Sequence, residues 1–415
     1  MKGTSVIIIG GGQAGLAMSR ILSDWAIDHV VLERGRVAER WRSERWDSLR
    51  LLTSNWQSRL PGWGYRGDDP DGYMTVPELV DFLEGYARSF SAPIEAETTV
   101  LSVEVGGRGY RVTTDRGTWT APNVVVATGH CGWPRVPGFS GELARGIHQL
   151  APTDYRNPDQ LAGGGVLVVG ASASGIQLAD EIHRSGRPVT LAVGRHTRLP
   201  RLHRGRDIMW WLDTVGILDE TVAPAAGFEA TRSQASLQLV GRPDRSSLDL
   251  SVLRERGVRL VGRAVAGEGT AVRFADDLAA STTAADFRLA RLLARIDGFI
   301  ADAGLDAGLP EAQPVTPVRP GPAPTTLDLA AEGIRTVIWA TGFGRSYSWL
   351  KLPVLDGRGE IVHRGGITPA PGLYVLGLSL QRRRKSTYID GVGSDALEIA
   401  DEIAARLEMR RMAAA

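Results

Sequence analysis

Cysteine is almost missing from this chain: Cys131 is the one thiol in 415 residues, which excludes an internal disulfide framework and any Cys-x-x-Cys relay. Net charge is missing as well. Lys+Arg number 48 against 47 Asp+Glu, a balance of +1, so no long-range field gathers nucleic acid or anionic lipid, and a small molecule is the expected partner. Lysine is scarce, with Lys2, Lys351 and Lys385 alone among those cations; this is read as coding bias and carries no function. Long apolar runs are absent too. Val6–Ile9 breaks at three glycines and no stretch of about 18 apolar residues follows, so neither a signal peptide nor a membrane span is expected and the chain reads as cytoplasmic. The seven histidines and single cysteine show no metal-ligand spacing and no Ser-His-Asp order, and no metal is expected.

What is plentiful is glycine, 50 residues of it, which suits many tight strand-to-helix turns. The segment SVIIIGGGQAGLAMSRILSDW followed by DHVVLERG predicts strand, turn, helix and strand, over Val6 to Ile9, Gln13 to Trp25 and His29 to Glu33. Residues 99–126 predict a β-meander returning to a parallel strand. About 160 residues further on, GGGVLVVGASASGIQLADEIHRSG and RPVTLAVGR repeat the first unit. The fold class expected is α/β, with two Rossmann-like dinucleotide-binding domains in three layers. The outer domain is expected over 1–150 and 331–415, and the inner over 160–330. Residues 203–330 form a helical and loop insertion, with a surface loop where six prolines lie between Pro310 and Pro324.

Gly10, Gly12 and Gly15 complete G-x-G-x-x-G between a strand and a helix. The first glycine permits the turn, the second admits a pyrophosphate, the third lets helix meet strand, and the helix-start amides of Gln13 and Ala14 face the phosphates. Glu33 follows at the end of the second strand, where a carboxylate accepts ribose hydroxyls. In the inner copy Gly170, Ser172, Ala173, Ser174 and Gly175 fill the turn, no acid occupies the place of Glu33, and Arg195 follows Gly194. A guanidinium there pairs with a 2′-phosphate, which points to NADP over NAD, with Arg198 and Arg201 as possible helpers.

Two such fingerprints, with ATG turns at Thr128 and Gly129 and at Thr341 and Gly342, resemble the flavoproteins that bind FAD in an outer domain and NADPH in an inserted one. Within them the chain is similar to the flavin-containing monooxygenases, in their short YUCCA-like and CzcO-like branch. The resemblance implies that residues 32–62 run from ribose to flavin ring, with Arg34, Arg40, Trp41 and Ser54 contacting FAD and Asn55 beside the isoalloxazine, and that Gly391 in GVGSDA brings a helix start to the flavin pyrimidine. It implies NADPH-driven formation of a flavin C4a-(hydro)peroxide and transfer of one oxygen atom from molecular oxygen to nitrogen, sulfur or a carbonyl of a small substrate. Asn55 is the catalytic candidate, and the bland reading is a turn asparagine. The resemblance also suggests a homodimer. The family pattern F-x-G-x-x-x-H-x-x-x-(Y/F) departs here: Phe139 and Gly141 are in place, Arg145 stands where the histidine belongs, and His148 is in neither register. That departure keeps an alternative open, an NADPH oxidase or reductase that makes hydrogen peroxide or reduces a quinone or partner; a non-catalytic flavoprotein is a third. Two further features stay open. Trp210 and Trp211 line a substrate pocket or pack a core, and the basic run Arg382 to Lys385 attracts a carboxylate or is a solvated loop.

Overall fold

The computed structural model describes residues 1–107, 109–221 and 236–414. Two five-stranded parallel sheets carry the chain, each built round one glycine turn. The outer sheet runs Leu373–Val375, Asn123–Val126, Val6–Ile9, His29–Leu32, Ile94–Glu95. Its central strands are covered on both faces, so they are continuous β-branched runs. Alternation along Val6–Ile9 divides the layers. Val6 and Ile8 pack with residues of the helices Gln13–Asp24, Val76–Ser89 and Ile389–Ala414, whereas Ile7 and Ile9 pack on Val103, Tyr110 and Val112 of the meander.

The inner sheet repeats the plan in the order His148–Leu150, Ile334–Trp339, Gly165–Val169, Val189–Ala192, Arg259–Val261. Val166 and Val168 pack with the helices Ala173–Arg184 and Leu250–Glu255; Leu167 and Val169 pack with Val272, Phe274 and Leu327 of a three-stranded sheet.

The expected domain limits at 150, 160 and 330 differ from this register. His148–Leu150 pairs with Thr336–Ile338, and Ile334–Trp339 pairs with the fingerprint strand, so both belong to the inner unit. The chain crosses between units at Trp133–Pro134 and Phe343–Gly344, which pair antiparallel as a hinge ribbon. An apolar strand ending in ATG marks itself as a strand without naming its sheet. Of the stretch 203–330, residues 222–235 lie outside the described residues. The rest is more than a helical and loop insertion: besides the helix Leu250–Glu255, the sheet strand Arg259–Val261 and the three-stranded sheet, it builds the helices Ile208–Thr214 and Leu278–Asp302, which share a core of Leu199, Trp211, Leu289, Ile296 and Ile300. Residues 311–324 carry no regular element. The last helix begins at Ile389. Its first-turn glycines serve packing: a Cβ on Gly391 would lie 1.8 Å from the Lys385 carbonyl oxygen, and one on Gly393 3.1 Å from the Pro61 ring.

Candidate cofactor sites

The two glycine turns match in detail. A Cβ on Gly15 would lie 1.8 Å from the carbonyl oxygen of Gly10, and one on Gly175 1.8 Å from that of Gly170. Gly10 and Gly170 hold φ of 112° and 111°, and a Cβ on each would press an ATG alanine carbonyl, Ala127 at 2.6 Å and Ala340 at 2.3 Å. Each ATG turn therefore backs its own fingerprint. At the middle position a Cβ on Gly12 would meet nothing within 4 Å. Gly12 and Ser172 share the N-cap geometry, φ −84° with ψ near 180°, and neither helix start carries a side-chain cap. The first-turn amides of Gln13, Ala14 and Gly15, and of Ala173, Ser174 and Gly175, are thus left for an anion.

Glu33 stands beside the outer turn, accepting from the amides of Gly11 at 2.6 Å and Gly35 at 2.9 Å. Each carboxylate oxygen retains acceptor capacity, as a ribose requires. Gln13 donates to the carbonyl of Thr387 at 3.4 Å, tying the helix start to the loop before the last helix. Asn55 opens a short 3-10 turn, Asn55–Gln57, and is 5 % exposed. Its amide nitrogen donates to the carbonyl of Asp69 at 2.9 Å, a tertiary contact, so it does not cap its own turn. Its Oδ1, both amide atoms of Gln57 and Ser58 Oγ are buried without a hydrogen-bond partner. Four orphaned polar atoms on adjacent residues are costly in a finished interior and fit a segment that meets a polar ligand. With the open cradle at Gly12 and the acid at Glu33, the outer residues fit FAD.

Other assigned residues stand elsewhere. Arg40 donates to the carbonyls of Cys131 and Gly132, binding the expected FAD-contact segment to the hinge approach. Arg34 is an exposed partner of Glu44, and the half-buried Trp41 lies under Arg45, 5.1 Å from its ring centre. The Ser54 hydroxyl is spent on Asp207 at 3.1 Å. Thr128 is exposed and Gly129 takes φ 76°. Thr341 donates its hydroxyl to the carbonyl of Arg135, while the Arg135 amide donates to Gly342 at 2.8 Å, so the second ATG turn fastens the hinge ribbon.

In the inner unit Val193, wholly buried, occupies the place of Glu33, and Arg195 is exposed at the tip two residues later. Arg198 and Arg201 are not available to a phosphate. Arg198 holds Asp249 at 2.6 Å and Asp286 at 2.7 Å, and Arg201, 1 % exposed, is locked to Asp207. The basic run is neither a carboxylate lure nor a solvated loop: Arg382 pairs with Glu398, Arg383 with Asp395 and Glu398, Arg384 with Glu220, and Lys385 with Asp219 at 2.9 Å. Glu220 lies 164 residues from Arg384, and Asp395 and Glu398, 12 to 16 residues on, face back to the arginines only once the last helix has folded. Trp211 is core, its Nε1 donating to His203 at 2.7 Å; the half-buried Trp210 stacks under Arg206. His148 sits exposed on the edge strand.

Motif reading missed a group after the first ATG turn. Burial, with Arg345, Arg45 and Arg40 nearby, lowers His130 from its ordinary 6.5 to about 4. Burial with Arg345 and Arg382 does the same to His363. Burial pushes the Cys131 thiol up despite Arg45 and Arg40, so it is not a thiolate nucleophile at neutral pH. Both imidazoles are neutral in the folded protein at pH 7. Unfolded they take protons below 6.5, folded only near 4, so stability that is complete above 6.5 is lost as pH falls toward 4. The urea midpoint is expected to drop between pH 7 and pH 4.5, and His363→Gln to flatten that drop; an equally steep profile in the variant contradicts the assignment.

Among the described residues no group of three or more His, Cys, Asp or Glu could hold a metal, and no helix is long and apolar enough to cross a membrane. The family model described as pyridine nucleotide-disulphide oxidoreductase matches residues 7–212. An uncharacterized CzcO-like oxidoreductase of Geobacillus kaustophilus (strain HTA426) is 33% identical over 401 residues, 96% of this chain and 97% of that protein. The indole-3-pyruvate monooxygenase YUCCA6 of Arabidopsis thaliana is 32% identical over 200 residues, 46% of this chain and 48% of that one. Among solved structures, a flavin-containing monooxygenase from Stenotrophomonas maltophilia aligns with TM-score 0.67 at 21% identity, covering 98% of this chain and 100% of the other, which shows a common fold.

Proposed function

The chain belongs to the flavin-dependent, NAD(P)H-using branch of the pyridine nucleotide-disulphide oxidoreductases that holds the CzcO-like, YUCCA-like and flavin-containing monooxygenase proteins, and from that membership we propose that it is a FAD- and NADPH-dependent monooxygenase of a small organic substrate. What supports this reading is the pair of matched glycine turns, with Glu33 beside the outer one and the exposed Arg195 just past the second strand of the inner one, in a chain whose single cysteine cannot relay electrons to a disulfide. Its relatives support it: YUCCA6 is an indole-3-pyruvate monooxygenase, and the Stenotrophomonas protein a flavin-containing monooxygenase.

When bound, the flavin takes a hydride from NADPH and activates dioxygen; the protein binds, orients and controls water. Gly12 and the amides of Gln13, Ala14 and Gly15 would hold the FAD pyrophosphate, and Glu33 its ribose. Gly170, Ser172 and the amides of Ala173, Ser174 and Gly175 would hold the NADPH pyrophosphate, with Arg195 on the 2′-phosphate. Asn55 would turn its amide to the flavin edge. Its Nδ2 keeps a second proton beyond the one given to Asp69, so it donates a hydrogen bond without supplying the acid that discharges activated oxygen as hydrogen peroxide.

The test is anaerobic reduction by NADPH followed by mixing with oxygenated buffer. A monooxygenase regains its oxidised flavin spectrum slowly, with peroxide appearing in step; an oxidase regains it at once with stoichiometric peroxide, the reading that the exposed His148 favours. Asn55→Ala is expected to leave the rate of flavin bleaching by NADPH within about twofold while the rate of peroxide release after mixing with oxygen rises roughly tenfold, the scale of one lost charge-assisted hydrogen bond. Unchanged peroxide would make Asn55 structural.

A further inference from the structure

Asp207 belongs to the inner unit, where it caps the helix Ile208–Thr214 by accepting from the Met209 amide at 2.8 Å. Three more donors converge on its carboxylate. Arg201 binds the same oxygen, Oδ1. The other, Oδ2, accepts from Ser54 Oγ at 3.1 Å and Tyr73 Oη at 2.7 Å, both in the outer unit. With four donors the carboxylate's acceptor sites are filled. Arg201 extends the grip by donating to the carbonyls of Leu52 at 2.8 Å and Val240 at 3.1 Å, and its guanidinium lies 4.8 Å from the centre of the Tyr73 ring. Gly241 closes in beside it: a Cβ there would fall 2.0 Å from the Leu51 carbonyl oxygen and 2.7 Å from the Tyr73 ring.

These contacts bracket Asn55. Leu52 and Ser54 precede it directly, and Tyr73 follows Gly72, whose carbonyl accepts from the Asn55 amide at 2.9 Å. The outer unit leaves this stretch with little regular structure of its own, a three-residue 3-10 turn and a two-strand ribbon of Arg59–Leu60 with Trp63–Gly64. Buried charge held by four donors from two units is expensive unless every partner is kept, so the bracket is rigid as a whole or lost as a whole.

We propose that Asp207 and Arg201, residues of the coenzyme-binding unit, are positioning residues for Asn55: through Ser54, Tyr73 and Leu52 they fix the flavin-side amide, so that retention of activated oxygen depends on the docking of the inner unit. This rests on the reading of Asn55 given above. Tyr73→Phe removes one donor to Asp207 and keeps the ring under Arg201; Asp207→Asn removes the ion pair and keeps an acceptor. Two measurements on the full-length flavoprotein test the proposal. In the first, amide hydrogen exchange over residues 51–58 is expected to accelerate at least fivefold in Tyr73→Phe, with exchange in the strands Val6–Ile9 and Gly165–Val169 unchanged. In the second, the rate of peroxide release after the reduced flavoprotein is mixed with oxygen should rise severalfold in Tyr73→Phe while flavin bleaching keeps its rate, and Asn55→Ala combined with Tyr73→Phe should release it no faster than Asn55→Ala alone, the non-additivity of residues that act through one another. Unchanged exchange over 51–58 overturns the positioning role whatever Asn55 does. Accelerated exchange with additive peroxide release overturns the route through Asn55. Were Asn55→Ala alone silent, the reading of Asn55 would fail, and the exchange result would still decide whether Asp207 holds the segment.

Discussion

Gly15→Ala is expected to yield a colourless protein with a thermal midpoint well below that of the parent. The added carbon would stand 1.8 Å from the Gly10 carbonyl oxygen, which is backbone at the end of a wholly buried strand and cannot swing aside. Helix and strand must part by more than an ångström. Overpacking of this kind costs about 1–3 kcal/mol or more, and the displaced helix start no longer aims its amides at the pyrophosphate. Gly12→Ala separates the two effects. Its Cβ meets nothing within 4 Å and the backbone φ of −84° suits alanine, so the apoprotein should keep its stability to within about 1 kcal/mol while FAD retention falls, because the new methyl occupies the place of the ligand. Thermal unfolding of the apoproteins and flavin absorbance of the purified variants check both. If Gly12→Ala retained FAD as well as the parent does, the cradle would lie elsewhere.

Arg195→Ala is the second large effect expected. A guanidinium on a phosphate contributes about 1.5–3 kcal/mol, so NADPH and 2′,5′-ADP should bind roughly ten to a hundredfold more weakly, while NADH, lacking the 2′-phosphate, should change by less than about twofold. Calorimetric titration reads this without turnover. Equal weakening of both coenzymes would remove Arg195 from the phosphate site. Arg198→Ala should instead lower stability, because it strands Asp249 and Asp286 in a nearly buried pocket.

The repeated strand-turn-helix units were legible because local chemistry dictates them: the glycines of each turn are required within a few residues of the strand they follow, and Val6–Ile9 and the helix start at Gln13 fall where periodicity puts them. The place of Glu33, beside that turn at the end of the second strand, was legible for the same reason. The sheet membership of Ile334–Trp339 was not, since pairing with Gly165–Val169 spans more than half the inner unit and leaves no local mark. Partners of the arginines were equally hidden. In a chain with so many, composition makes each one look solvated, and only folding brings Asp286 to Arg198 or Glu220 to Arg384. Asn55 lay between these cases: its resemblance to a flavin-side residue singled it out, while the orphaned Oδ1 and the neighbouring Gln57 amide became visible only with burial.

The ribbon of Trp133–Pro134 and Phe343–Gly344 means that the chain departs for the inner unit and comes home at adjacent points, about one strand spacing apart. A splice at that seam could therefore exchange the whole coenzyme cassette through two neighbouring junctions, and a short bridge across the same gap could leave the flavin-bearing half as one continuous polypeptide. A transplanted cassette would need its own counterparts of Arg201 and Asp207. Without them the graft would fold and bind both nucleotides, yet leak its oxidising power to solvent.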